Sequence, residues 1–179
     1  MKTYVALLRG INVGGKNTIP MSELKKALSS RGYEDVVTYI QTGNVVFRSP
    51  AGDAQEIAND IEQRIAESFA IGVTVLLRTG AELLAIARRN PFLRVEPDLS
   101  KLHVVFMSGR SSTKAVAGLD PDRSPPDEFG VHGREIYLHL PNGAGRSKLT
   151  IDYFERRLGV AATARNWNTL IKLIALTER

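Results

Sequence analysis

Gly10, Gly14 and Gly15 stand close to Arg9, Asn12 and Lys16 directly after an apolar, strand-like run. With that spacing, main-chain amides and a lysine can cradle a phosphate group. The pattern approaches a P-loop, which would place Ser or Thr after the lysine to hold magnesium. Here that position is Asn17, Pro20 removes a donor from the helix that should follow, and no apolar strand ends in a suitable Asp. The string therefore does not predict nucleotide hydrolysis. It leaves two readings, a glycine loop that lets an anion approach beside Arg9, Asn12 and Lys16, or a tight surface turn with solvated charges.

A second string, Pro141 to Thr150, joins a strand to a helix start and carries Ser147 and Lys148 beside Arg146. Helix starts have unpaired amides and a positive dipole end, so cations placed there are compensated by a bound anion. The competing reading is self-satisfaction, with Thr150 as the N-cap and Asp152 as the acid of the first turn. A third string holds Arg165, Asn166, Trp167 and Asn168. Asn166 suits an N-cap and no carboxylate follows until Glu178. Trp167 could stack on a ring, or serve only as packing.

Thr42 and Asn44 flank Gly43 on a strand turn amid apolar neighbours, where an Asn ordinarily serves local hydrogen bonds. His103 and His139 could face each other on adjacent strands, but no third ligand accompanies them, and no metal site is expected. Glu23, Asp35 and the acids of the 120s loop show no pairing that would suggest a general acid and base. The run Gly43 to Phe47 lacks the aromatic pattern of an RNA-binding sheet.

These strings need a scaffold, and the hydropathy pattern supplies one. Tyr4 to Arg9 reads as a strand, Pro20 opens a helix with Leu24, Ala27 and Leu28 on one face, and Gly32 ends it. Val36 to Ile40 and Val45 to Phe47 read as paired strands. Asp53 caps a helix whose Ile57, Ile61, Ile65 and Phe69 recur every four residues, and a strand at Val73 to Leu77 follows. The second half repeats the order. A helix near Leu83 and an irregular stretch lead to a strand at Leu102 to Met107, a short helix at Thr113 to Leu119, and a proline-rich loop from Asp120 to Asp127. Strands turning at His132 and Gly133, a helix with Phe154 and Leu158, a strand near Ala162 and a last helix complete it. The expected class is α+β, a tandem duplication of two ferredoxin-like βαββαβ subdomains packed together. The boundaries are 1–79, a connector over 80–101, and 102–179 with the final helix. Element order repeats between the halves, whereas the residues are expected not to match. Both Val5 to Leu8 and Val104 to Met107 are apolar on both faces, so each sheet should be covered on two sides.

Composition narrows the chemistry further. The 179 residues are 43% hydrophobic, include three histidines, and contain no cysteine, which excludes disulfides, thiolate metal sites and a cysteine nucleophile. A net charge of +5 favours anionic partners, although the basic residues are dispersed. No apolar stretch is long enough to span a bilayer and no signal peptide is evident, so no membrane partner and a cytoplasmic location are expected.

The strings LLRGINVGGK, TYIQTGNVVF and RNWNT resemble the domain of unknown function 1697 family, and Asn90-Pro91-Phe92 and Ser147-Lys148-Leu149 look like its intermediate blocks. The resemblance covers essentially the whole chain. It implies a small α+β protein with duplicated subdomains and brings no activity, cofactor or catalytic residue. The expected function is binding of an anionic, phosphate-containing small molecule. Arg9, Asn12, Gly14, Gly15 and Lys16 would form one wall, with Thr42 and Asn44 beside it. Ser147, Lys148, Arg165, Asn166, Trp167 and Asn168 would form the other. Alternatives are an enzyme acting on such a ligand, with Lys16 or Lys148 stabilising negative charge, a nucleic-acid-binding groove, and a protein-interaction module.

Overall fold

The computed structural model describes residues 1–179. The chain divides into two compact units, one of residues 1–84 with 172–179 and the other of residues 85–171.

The first unit contains β1 (Lys2–Leu8), α1 (Met21–Ser29), β2 (Glu34–Tyr39), β3 (Asn44–Ser49), α2 (Ala54–Phe69) and β4 (Val75–Thr79), after which α3 (Gly80–Arg88) begins. Its antiparallel sheet has the order β2-β3-β1-β4. Tyr4, Ala6 and Leu8 of β1 share one face with Val45 and Phe47, and this face packs on Leu24 and Leu28 of α1 and on Ala58, Ile61 and Ile65 of α2. The four-residue spacing on α2 forms a buried stripe as expected, with Ile57 and Phe69 at its partly exposed ends. Asp53 caps that helix by accepting from the amides of Gln55 and Glu56. The alternate residues Val5, Leu7, Val46 and Leu76 point to the opposite face and are buried as well.

The second unit contains the rest of α3, then β5 (Leu102–Met107), α4 (Thr113–Ala117), β6 (Glu128–His132), β7 (Glu135–His139), α5 (Ile151–Leu158) and β8 (Ala162–Asn166). The sheet order is β6-β7-β5-β8, again antiparallel throughout. Val105, Met107, Ile136 and Leu138 pack on Tyr153, Phe154 and Leu158 of α5. The last helix, α6 (Trp167–Thr177), starts in this unit, and Lys172 onward belongs to the first.

The element order repeats between the halves as expected, and within it one buried residue recurs at an equivalent position. Arg78 pairs with Val5 in the first sheet, and Arg165 pairs with Val104 in the second. Both arginines are buried, and each donates to the carbonyl of the residue before it, at 2.9 and 2.8 Å. Each is followed by the cap of the next helix. Thr79 and Glu82 exchange bonds in a capping box at α3, and Asn166 accepts from the Thr169 amide at 2.8 Å at α6. The residues flanking the two arginines differ, and only the strand register aligns them.

Candidate anion-binding surfaces

In the first unit, two of the strings interlock. The backbone holds positive φ at Gly10, Asn12, Gly14, Gly15 and Asn17 on one loop, and at Ile40 and Gly43 on the other. Gly14 and Gly15 are the central residues of a tight hairpin closed by the Lys16 amide donating to Val13 O at 3.1 Å. Positive φ at both central positions is the pattern of a type I′ turn, which glycine adopts without steric cost. Here the glycines serve a turn rather than a phosphate cradle, and the helix begins only at Met21, so the P-loop geometry is absent.

Asn12 is the bracket of this region. Its side-chain amide donates to Gln41 O at 2.7 Å and to Ile19 O at 3.0 Å, and its oxygen accepts from the Ile19 amide at 2.8 Å. Both ends of the side chain are therefore engaged with main chain, which places Asn12 in a structural role. Asn44 is fully buried, donating to Tyr39 O at 3.1 Å and to the Thr42 hydroxyl at 3.2 Å. Gly43 is enforced by close approach, because a Cβ there would lie 2.8 Å from Ile11 Cγ1 and from Leu8 Cβ. Of the first wall, the cations Arg9 and Lys16 have exposed side chains. The sequence-predicted residues do not line the cleft of about 430 Å³ in this unit that Thr3, Thr79, Ala81, Leu84, Ile174 and Thr177 border.

In the second unit, the string before α5 is clamped by the proline-rich loop. Ser124 accepts from the Lys148 amide at 3.0 Å and donates to the buried Asp127 carboxylate at 2.7 Å. Arg123 donates from Nε to Lys148 O at 2.8 Å, and its guanidinium carbon lies 3.9 Å from the centre of the Tyr153 ring. Arg157 approaches the same ring at 6.0 Å. Tyr153 itself is buried, and its hydroxyl accepts from the Asp120 amide at 3.0 Å. An arginine stacked on an aromatic ring gives up little further freedom when it binds an anion. Lys148 and Arg123 are exposed.

The remaining predicted residues of this unit are engaged internally. Thr150 accepts from the Tyr153 amide at 3.2 Å and caps α5, so the self-satisfied reading of this helix start holds. Asp152 pairs with Arg156 at 3.1 Å, and Ser147 accepts from the Leu149 amide at 3.0 Å. Arg165 is inside the protein, its guanidinium held by Thr163 Oγ1 at 2.7 Å, and burial pushes its pKa down to about 10. Trp167 is 2% exposed, which supports the packing reading. Asn166, which ends β8 and caps α6, and Asn168 on the first turn of that helix are exposed at the surface. The residues of the first wall lie in one unit and those of the second wall in the other.

The two histidines do not face each other. His103 is paired with Leu138, and His139 with Leu102, so they project from opposite faces of the sheet. Burial lowers the pKa of His103. His139 lies between Glu96 and Glu128, a cluster that no motif announced.

The model of the family described as "Protein of unknown function (DUF1697)" matches residues 1–137. The chain belongs to this family. Among solved structures, the chain is similar to conserved bacterial protein SP0830 from Streptococcus pneumoniae, with a TM-score of 0.75 and 24% identity. The similarity covers 98% of each chain, and at that identity it shows the fold alone. No curated protein matches. No helix is long and apolar enough to cross a membrane.

Among the residues predicted from sequence, Lys148 gains a neighbour that the sequence did not suggest. Arg123 lies in the proline-rich loop, and its partners are 25 residues away at Lys148 O and 30 residues away at Tyr153. Arg123, Lys148 and Arg157, spread along the chain, carry no local signature.

Proposed function

We propose that this DUF1697 member is a cytoplasmic binding protein for a phosphate-containing anion, received on the surface formed by Arg123, Lys148 and Arg157. The observation that carries the proposal is the guanidinium of Arg123, fixed between the Tyr153 ring and Lys148 O while its side chain remains exposed. A planar, pre-oriented donor set matches phosphate oxygens, and Lys148, exposed and bonded to Arg123 through its main-chain oxygen, adds charge without requiring close geometry. Arg9 and Lys16 are two exposed cations of the first unit. Asn12, Asn44, Arg165 and Trp167 leave the ligand-binding set because their side chains are committed to the fold.

We further propose that the two units descend from a duplicated ferredoxin-like βαββαβ element. The shared strand order, the equivalent Arg78 and Arg165, and the helix caps that follow them support this reading.

Thermal unfolding with phosphate, sulfate, pyrophosphate and a mononucleotide tests the binding proposal. A probe at a hundredfold excess over its Kd should stabilise the folded chain by about 2.7 kcal/mol. The combined substitution R123A and K148A should abolish the shift, and K16A should leave it in place. No shift with any of these anions overturns the proposal. Stabilisation by oligonucleotides alone, with a steep dependence on salt, would assign the surface to nucleic acid instead.

A further inference from the structure

His139, near the end of β7, is bracketed by two carboxylates. Its Nε2 is 2.8 Å from Glu96 Oε2, and its Nδ1 is 3.1 Å from Glu128 Oε1. Glu128 comes from the neighbouring strand β6, directly opposite in the register. Glu96 comes from the stretch between α3 and β5. That stretch is tied at several points within the same unit. Phe92 lies against the His139 ring with centroids 5.6 Å apart, Asn90 accepts from the Phe92 amide at 2.9 Å, and the Glu96 amide donates to Phe92 O at 3.0 Å. Pro91 rests over Gly130, where an added Cβ would meet its ring at 3.8 Å. Asn90, Phe92 and Glu96 are buried although the segment has no regular secondary structure.

An ionised carboxylate only accepts hydrogen bonds, and a neutral imidazole has a single N–H. Carboxylates on both ring nitrogens are satisfied together only when both nitrogens carry protons. On loss of one proton, a nitrogen lone pair faces a carboxylate oxygen and one of the two contacts becomes repulsive. The two carboxylates bind opposite ends of the ring, so they cannot converge on one metal ion through it. The bracket is a proton-binding arrangement.

We propose that His139 is a proton-operated latch that holds the Asn90–Glu96 strap against the sheet of the second unit, closed when the imidazole is doubly protonated and loosened when it is neutral. The charged groups acting on the ring are Glu96 from the strap and Glu128 from β6. Lys101, just before β5, acts in turn on Glu96, and the Asp98 amide holds the other Glu96 oxygen at 2.9 Å. The opposite residue on β5, Leu102, is uncharged. Burial lowers the histidine pKa, but the bonds to Glu96 and Glu128 outweigh it, and the net value lies above the ordinary 6.5. A raised value means that the stabilisation is fully present below about pH 6.5 and is lost as pH rises through the folded value. Glu96 is displaced the other way, first by the Asp98 amide and then by His139, so its contribution is present above the ordinary 4.5 and lost as pH falls through its lowered value. The latch is therefore closed in a mildly acidic to neutral window and opens on the alkaline side.

Amide hydrogen exchange of residues 92–98 tests this, with intrinsic exchange rates divided out and the His139 ring protons followed by NMR in the same samples. Protection of the Val95, Glu96 and Asp98 amides should fall on the order of tenfold across the His139 titration. In H139Q the protection should no longer change over that range. In E128Q, which removes the exposed carboxylate, the transition should move to lower pH. Because E128Q perturbs the fold least, it decides the matter should H139Q fold poorly. Constant protection in the wild type while His139 titrates overturns the latch, as does an unchanged transition in either variant.

Discussion

The interlocked loops of the first unit and the clamped string of the second are equally polar in sequence and opposite in use. Around Asn12 and Asn44, the side-chain amides are spent on Ile19, Gln41, Tyr39 and Thr42, and the glycines serve turns and close approach. Around Lys148, the string is fixed through its own main-chain amide and carbonyl, by Ser124 Oγ and Arg123 Nε, while the side chains of Lys148 and Arg123 stay exposed. A polar residue whose hydrogen-bonding capacity is met inside the fold stabilises it. One whose stem is held while its head stays solvated can recruit a ligand.

Substitutions can break or sharpen this contrast. The largest effect is expected at Gly43→Ala, which adds overlap with Ile11 and Leu8 at a residue with φ of +87°. Overpacking together with left-handed strain should destabilise the protein by about 3 kcal/mol, read from the urea midpoint. Asn12→Ala removes three bonds and leaves main-chain groups of Ile19 and Gln41 unpaired, for a loss of about 2 kcal/mol in the same measurement. Should Asn12→Ala prove neutral while abolishing anion binding, the assignment of the two regions is reversed. Thr150→Ala removes the α5 cap and should cost about 1 kcal/mol. Lys148→Ala should change stability by less than about 0.5 kcal/mol while weakening the anion-induced shift in melting temperature.

Much of the scaffold was legible because its signals are local. Four-residue spacing marked the buried stripe of α2, Asp53 announced its cap, and β5 matches its expected bounds at Leu102 and Met107. The site was less legible because its determinants are long-range. Whether Asn12 is a bracket or a ligand donor depends on Gln41, 29 residues away. Arg165 resembled a surface cation because its string is polar, and only its pairing with Val104 places it inside. That His103 and His139 could face each other follows from their places on neighbouring strands. A register offset of one residue reverses that, and no local pattern records it. The arginine correspondence between the halves was hidden for the same reason.

The grouping of Lys172–Arg179 with residues 1–84 has a consequence for synthesis. The ribosome delivers the sheet of the first unit early, but the stretch that joins it emerges only after all of residues 85–171. Leu176 and Ile174, both largely buried, therefore reach their places late, and the nascent first unit stays incomplete while the second emerges. Pulse-labelled ribosome-bound chains should show the interval as protease sensitivity in the early unit that disappears on release.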